Sequence, residues 1–275
     1  MAYREYPVPK ALRRHVQCVW RLQAPPHGPQ NIFADGRCEV ILHFGEPPSA
    51  WSAEHGWQRQ APLLFAAQHR GAIRLASEHR LDCVGIRLRP SASAAIAASR
   101  LAELRDRIVD LSTLTAEFAT ALGAGAVRFT VDPADPEFWA LLEAQLSSHP
   151  IDGRIEAAVA TLESKAGQIS VAATAAAAAM SIRALQTRFL ECVGLSVKEF
   201  ARILRLQALI RSLDERSEPL SQLAAEAGFS DQPHATRELR RLTGSTPALL
   251  RQSLQQNRDG EDALRLAAAF IRGYD

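Results

Sequence analysis

Residues 169–251 read ISVAATAAAAAMSIRALQTRFLECVGLSVKEFARILRLQALIRSLDERSEPLSQLAAEAGFSDQPHATRELRRLTGSTPALLR and contain the same short plan twice. Each copy has a helix rich in small residues, a turn, a second helix, and a glycine followed two positions later by Ser or Thr. The two glycines, Gly194 and Gly244, lie 50 positions apart, whereas Ser181 and Ser230 in the turns lie 49 apart. The pattern predicts a duplicated helix-turn-helix with one extra residue in the second turn.

The second helix of each copy is amphipathic. In the first copy, Ile182, Leu185, Phe189 and Val193 recur at spacings of three and four and predict one apolar face. The other face carries Arg and Gln, which can make bidentate contacts to base edges in the major groove. A solvated helix face that binds nothing has the same pattern, so the repetition of the plan strengthens the DNA hypothesis. This face carries Arg183, Gln186, Thr187 and Leu190 in the first copy and Gln232, Pro233, Thr236, Arg237 and Arg240 in the second.

A long helix is predicted between the two copies. It runs over residues 196–213 and begins with Ser196 and Glu199, which fit a capping box. Its length of about 27 Å would let the two second helices enter successive major grooves, about 34 Å apart. Hydroxyl and basic side chains on the long helix and on the two second helices are candidates for phosphate contacts, which position a protein without specifying sequence. They are Ser181, Arg188, Lys198, Arg202, Arg205, Arg240 and Arg241.

Composition indicates a folded protein and says little about its partner. The 275 residues are 47% hydrophobic and carry a net charge of only +2. The charge divides evenly between the halves, so a DNA hypothesis rests on the arrangement of side chains. No apolar run approaches the roughly 18 residues of a membrane span, and the first residues do not resemble a secretory signal. We therefore expect a cytoplasmic protein with no membrane partner.

The amino-terminal half predicts an α+β domain. Runs at 16–22, 38–44 and 81–88 have the β-branched and aromatic character of strands, and turn-forming stretches separate them. Their succession without long helices favours an antiparallel sheet or a small barrel. After Pro90 the pattern becomes helical, with residues 123–136 predicted as a loop or linker. The domain is expected to end near residue 150.

No catalytic or metal site is predicted in this half. His43, His55, His69 and His79 lack the spacing of a metal-binding barrel. Cys83 has no neighbouring His or Lys in sequence that would lower its pKa. The aromatic side chains fit either a ligand pocket or an ordinary core. We expect no enzyme activity and no cofactor.

The stretch LAAEAGFSDQPHATRELRRLTGSTPALLR at residues 223–251 resembles the DNA-binding domain of the AraC/XylS transcriptional regulators. The first copy has the family's LQxxF feature and its GxSxxEF feature, and the resemblance covers residues 151–252. Ala235, Leu239 and Leu250 stand where the family usually has aromatic residues. The resemblance implies that bases or nearby phosphates face Arg183, Gln186, Thr187, Gln232, Pro233, His234, Thr236 and Arg237. The amino-terminal half is similar to an uncharacterised sensor-type domain, through Trp20, Asp35-Gly36 and residues 84–90.

These observations predict a regulator that binds double-stranded DNA, with a small-molecule effector, a second copy of the chain and RNA polymerase as further partners. Residues 1–150 would sense the effector or dimerise, residues 151–252 would bind DNA, and residues 253–275 would form a helical tail. One alternative is an amino-terminal domain that serves only dimerisation or a protein partner. Another is a DNA-repair methyl acceptor, although the four cysteines lack its close pairs. The first copy, with its fuller apolar face, is expected to dominate base reading.

Overall fold

The computed structural model describes residues 2–256. Its amino-terminal half contains ten strands: β1 Ala2–Tyr6, β2 Val16–Ala24, β3 His27–Ile32, β4 Glu39–His43, β5 Ser49–Ser52, β6 Gly56–Arg59, β7 Leu63–Ala66, β8 Ile73–Ser77, β9 Leu81–Leu88 and β10 Ile108–Asp110. They form two antiparallel sheets, one of six strands in the order β1-β2-β9-β4-β7-β10 and one of four strands in the order β3-β8-β5-β6. The arrangement confirms the predicted α+β domain built on antiparallel pairing.

Strand β9 has the bounds that its apolar run predicts. Strand β3, by contrast, lies partly within residues 24–30, whose Pro and Gly content predicted only a turn. It is an edge strand of the four-stranded sheet and pairs with β8 alone. An edge strand tolerates Pro29 because one row of its amides needs no partner in the ladder.

Three helices complete the amino-terminal half: α1 Ala94–Ala97, α2 Ala116–Val131 and α3 Pro136–Ser147. The prediction of a loop over residues 123–136 is wrong, because α2 continues to Val131. Gly125 is buried where α3 approaches, and a Cβ there would lie 3.2 Å from Leu141 Cδ2. The glycine that indicated a loop therefore serves close helix packing. The core of this half lies between the six-stranded sheet and these helices, around Phe129 and Phe138.

The carboxy-terminal half is helical and confirms two helix-turn-helix units joined by a long helix. The helices are α4 Gly153–Ser164, α5 Val171–Ala177, α6 Ile182–Val193, α7 Val197–Glu215, α8 Leu220–Glu226, α9 Gln232–Thr243 and α10 Pro247–Gln256. The first unit is α5 and α6, the second is α8 and α9, and α7 connects them. Most of the predicted helical tail falls in residues 257–275, outside the described residues.

One apolar core runs through both helix-turn-helix units and reaches the amino-terminal half. Phe189, Phe200 and Leu239 are fully buried in it, and Phe33 and Ala34 enter it from the segment between β3 and β4. The two halves therefore share packed side chains. Between residues 2 and 256, no helix is long and apolar enough to cross a membrane.

Candidate nucleic-acid interface

The two candidate reading helices, α6 and α9, begin with equivalent caps. Ser181 Oγ accepts a hydrogen bond from the Ala184 amide (3.2 Å), and Asp231 Oδ1 accepts one from the His234 amide (2.6 Å). Asp231, and not the turn residue Ser230, therefore caps the second helix. The caps lie 50 positions apart, and the extra residue of the second copy precedes the cap. The amide of His234 holds the pKa of the Asp231 carboxyl below its usual range, which keeps the cap ionised.

Each reading helix buries an apolar face in the shared core. Leu185, Phe189 and Val193 are fully buried on α6, as are Ala235 and Leu239 on α9. Ala235 and Leu239 fill their positions without the larger rings expected from the resemblance.

Ile182 departs from the predicted apolar face, because its side chain is 47% exposed. It is the first residue of α6, and a side chain there leans toward the preceding turn and past the edge of the core. The periodicity identified the correct helix face but not the point at which the core ends.

The polar faces of both helices are open to solvent. Arg183, Gln186 and Thr187 on α6 are exposed. On α9, Gln232, Pro233 and Arg237 are exposed, whereas His234 and Thr236 are half-buried. The structure therefore exposes all three predicted base-facing residues of the first copy and three of the five in the second.

His234 is held within its own unit. Its Nδ1 lies 3.0 Å from Ser230 Oγ, and its ring meets Phe229 edge-on with 5.5 Å between ring centroids. These contacts fix the start of α9 and occupy one ring nitrogen of the side chain.

The predicted phosphate contacts differ in exposure and in the partners they already have. Lys198, Arg240 and Arg241 are exposed and can reach outward. Arg188 is also exposed but forms ion pairs with Glu191 on α6 and with Asp152 before α4, and the hydroxyl of Ser181 serves as the helix cap.

Arg202 and Arg205, the remaining two, are half-buried on α7 and point into the protein. Arg202 Nε lies 3.3 Å from Glu238 Oε2 on α9, and Arg205 Nη1 donates to the Gly167 carbonyl at 2.7 Å. Burial lowers the pKa of both guanidinium groups below its usual range. These contacts connect α7 to α9 and to the segment that precedes α5, a role that a sequence position on an amphipathic helix does not reveal.

The connection between α4 and α5 is a second internal link. Gly167 has φ +72°, and a Cβ there would lie 2.0 Å from the Ala201 carbonyl oxygen on α7. The next residue, Gln168, donates from Nε2 to the Glu226 carbonyl at 2.9 Å. Residues 167–168 thus bridge α7 and the turn of the second unit.

A cavity of about 480 Å³ lies in the amino-terminal domain beside both sheets. Its lining includes Trp51, Arg59, His69 and Asp106. Burial lowers the pKa of His69, and His69 Nδ1 has no hydrogen-bond partner among the described residues. A neutral imidazole nitrogen in this state can accept a hydrogen bond from a ligand. The volume falls within the range of small-molecule pockets.

The cysteines are poorly suited to nucleophilic chemistry. Cys18, Cys38 and Cys83 are buried free thiols. Burial raises the pKa of Cys18 to about 12 and that of Cys38 to about 12. The nucleophile is the thiolate, so these thiols are held in their unreactive form. Between residues 2 and 256, no group of three or more His, Cys, Asp or Glu side chains is arranged to hold a metal ion.

Comparison with known proteins identifies two regions. Residues 174–253 match a family described as a helix-turn-helix domain, and residues 4–110 match a domain of unknown function, DUF6597. No curated protein matches the chain. The helix-turn-helix match follows the other match along the chain, as expected from the resemblance of residues 151–252 to a DNA-binding domain and of the amino-terminal half to a sensor-type domain. The two matches confirm that resemblance.

Several solved structures are similar to this chain. A regulator from Chromobacterium violaceum with an AraC-type DNA-binding domain is 22% identical, with 40% of this chain and 96% of that chain covered and a TM-score of 0.36. ToxT from Vibrio cholerae is 10% identical, with 92% and 98% covered and a TM-score of 0.46. The DNA-binding domain of AdpA, in complex with a target DNA, is 27% identical, with 40% and 98% covered and a TM-score of 0.36.

Proposed function

Since the chain carries an AraC-type helix-turn-helix DNA-binding domain, we propose that it regulates transcription by reading a specific operator with α6 and α9 together. The observation that carries this proposal is the paired exposure of two equivalent polar helix faces above one shared core. Selection of bound duplexes from a random DNA library tests it. We expect enrichment of two short segments about one helical turn apart, and recovery of unenriched DNA would refute sequence-specific reading.

The two helices contribute unequally. Gln186 on α6 is exposed, whereas Thr236, 50 positions later on α9, is half-buried. Helix α9 also ends in the basic pair Arg240 and Arg241. We assign more of the base reading to α6 and more of the phosphate anchoring to α9.

Alanine substitutions at these two equivalent positions, Gln186→Ala and Thr236→Ala, form a matched test. Each is titrated with the selected duplex and with a random duplex. We expect the larger loss of specificity at Gln186, at about 1–3 kcal/mol if its side chain reads a base. A larger loss at Thr236 would reverse the assignment.

We further propose that a small-molecule effector binds the amino-terminal cavity that Trp51 and His69 line and adjusts DNA binding from there. Asp106 connects this cavity to the other half of the chain, because Arg70 donates to Asp106 and also lies 3.6 Å from Glu199 on α7. A ligand that favours one arrangement of these side chains would shift the population of DNA-competent states.

A thermal-shift screen of small molecules on the full chain tests the effector proposal. Trp51→Ala should abolish the shift given by a true ligand. Trp57→Ala is the matched control, because Trp57 is similarly exposed on the same hairpin but does not line this cavity. A shift that survives Trp51→Ala places the ligand elsewhere.

The alternative function for this domain is dimerisation or binding of a protein partner. A chain that gives no thermal shift but becomes dimeric with rising concentration in analytical ultracentrifugation would favour it. Recruitment of RNA polymerase in the cytoplasm would follow in either case, and a reconstituted transcription assay on the selected operator tests that step.

A further inference from the structure

The amino-terminal domain contacts the same end of both reading helices. Gly194 and Gly244 occupy equivalent positions at the carboxyl ends of α6 and α9, both with left-handed backbones (φ 82° and 72°). A Cβ on Gly194 would lie 3.0 Å from Leu101 Cγ, and one on Gly244 would lie 2.6 Å from Asn31 Nδ2. Leu101 and Asn31 both belong to the amino-terminal domain.

The first contact belongs to a broad apolar interface. Leu101 is fully buried, and the segment Pro90–Ala92 together with α1 packs against α6. The first helix-turn-helix unit is therefore seated on the amino-terminal domain by side-chain packing, and no single polar contact determines its position.

The contact to the second unit is small and polar. Asn31 Nδ2, at the end of β3, donates to the Thr243 carbonyl at 2.9 Å. A Cβ on Gly71 would lie 3.3 Å from the Arg241 carbonyl oxygen, so a second backbone segment approaches the same helix end. The last carbonyls of a helix have no partner within it. The Asn31 amide supplies one such partner from a different domain.

Helix α7 is held by the same domain between these two points. Phe200 packs on Gly36, and Gln207 Nε2 donates to the Ala34 carbonyl at 3.1 Å. The amino-terminal domain thus contacts the first reader, the connecting helix and the second reader. Such a three-point contact fixes the distance and rotation between the two readers, provided that the contact at α9 persists.

We propose that Asn31 is a positioning residue for DNA recognition: by capping α9 from the amino-terminal domain, it sets the spacing between the two DNA segments that the readers accept. Adding one base pair moves the second segment by about 3.4 Å and rotates it by about a tenth of a turn. While Asn31 holds α9, the helix cannot move to the displaced DNA segment. Without that contact, α9 can shift toward it more readily. This inference rests on the proposed reading of DNA by both helices.

The test uses the full chain and the duplex selected from the random library, resynthesised with one base pair inserted or deleted between the two segments. Dissociation constants are measured on the three duplexes. The spacing ratio of a protein is its dissociation constant on an altered duplex divided by its dissociation constant on the selected duplex. One hydrogen bond of ordinary strength corresponds to about a five-fold change. We therefore expect Asn31→Ala to reduce the spacing ratio about five-fold and to leave binding to random DNA unchanged. Asn31→Asp should reduce the ratio further, because a carboxylate is repelled by the helix end.

Gln30→Ala is the matched control. Gln30 precedes Asn31 on β3 and makes no hydrogen bond to the helical half among the described residues, so its spacing ratio should equal that of the unaltered chain. A lower melting temperature for Asn31→Ala with an unchanged ratio would show a purely structural contact and overturn the proposal. A uniform gain in affinity on all three duplexes would also overturn it, since the contact would then be inhibitory. Failure to select any duplex would instead refute sequence-specific reading itself.

Discussion

Gly167→Ala is expected to destabilise the DNA-binding domain by about 2–5 kcal/mol. The residue has a left-handed backbone, which costs an alanine about 1–2 kcal/mol. The new Cβ would also lie 2.0 Å from the Ala201 carbonyl oxygen. That atom belongs to the backbone of α7 and cannot rotate away, so the segment or the helix must shift at a further cost of about 1–3 kcal/mol.

The shift would have a functional consequence. Movement of residue 167 away from α7 stretches the 2.7 Å hydrogen bond from Arg205 to the Gly167 carbonyl. It also disturbs the hydrogen bond from Gln168 to the Glu226 carbonyl, which reaches the second helix-turn-helix unit. DNA affinity should therefore fall although no residue of the reading faces has changed.

Urea denaturation with two probes measures the effect. All four tryptophans lie in residues 1–150, so their fluorescence follows the amino-terminal domain, whereas far-ultraviolet circular dichroism is dominated by the helical half. Gly167→Ala should move the circular-dichroism midpoint more than the fluorescence midpoint. Gly123→Ala is the control, because it is a helical glycine with nothing within 4 Å of an added Cβ and should stabilise by about 0.5–1 kcal/mol. An unchanged midpoint for Gly167→Ala would contradict the close approach to α7.

Three further changes are predicted. Arg240→Ala should reduce the slope of log affinity against log salt by about one. Arg205→Ala should weaken folding and leave that slope intact. Equal slopes for the two variants would contradict the assignment of Arg240 to the exposed surface and of Arg205 to contacts inside the protein. Although burial raises the pKa of Glu199, hydrogen bonds from Ser196 and the charges of Arg105 and Arg70 hold it below its usual range. The carboxylate therefore adds stability above its unfolded pKa of about 4.3 and loses that contribution as the pH falls toward the lowered value, and Glu199→Gln should flatten the acid side of a stability-pH curve. A thiol reagent at neutral pH should modify the half-buried Cys192 before Cys38, as mass spectrometry of digested protein would show, and faster labelling of Cys38 would contradict its burial.

The helical half was predictable because its determinants are local. Ser196 and Glu199 form the capping box that their spacing indicates, with hydrogen bonds in both directions. The 3.6-residue period placed Leu185 and Phe189 in the core.

Parts of the amino-terminal half were less predictable. Gly123 and Gly125 indicated a loop by propensity, but Gly125 is a site of close packing between α2 and α3. Propensity is a weak preference that tertiary contacts override. Likewise, a Pro-containing segment became β3 because it lies at a sheet edge, where a missing amide costs little.

The sequence by itself determined the duplicated helix-turn-helix, the long connecting helix and the positions of Leu185 and Phe189 in the core, because periodicity and caps act over a few residues. Only the tertiary structure decided that Arg202 and Arg205 turn inward, that residues 167–168 bridge α7 and the second unit, and that Asn31 caps α9 from a distance of 212 positions along the chain. These contacts join segments remote in sequence. Their geometry depends on how two cores pack together, and no local pattern encodes it.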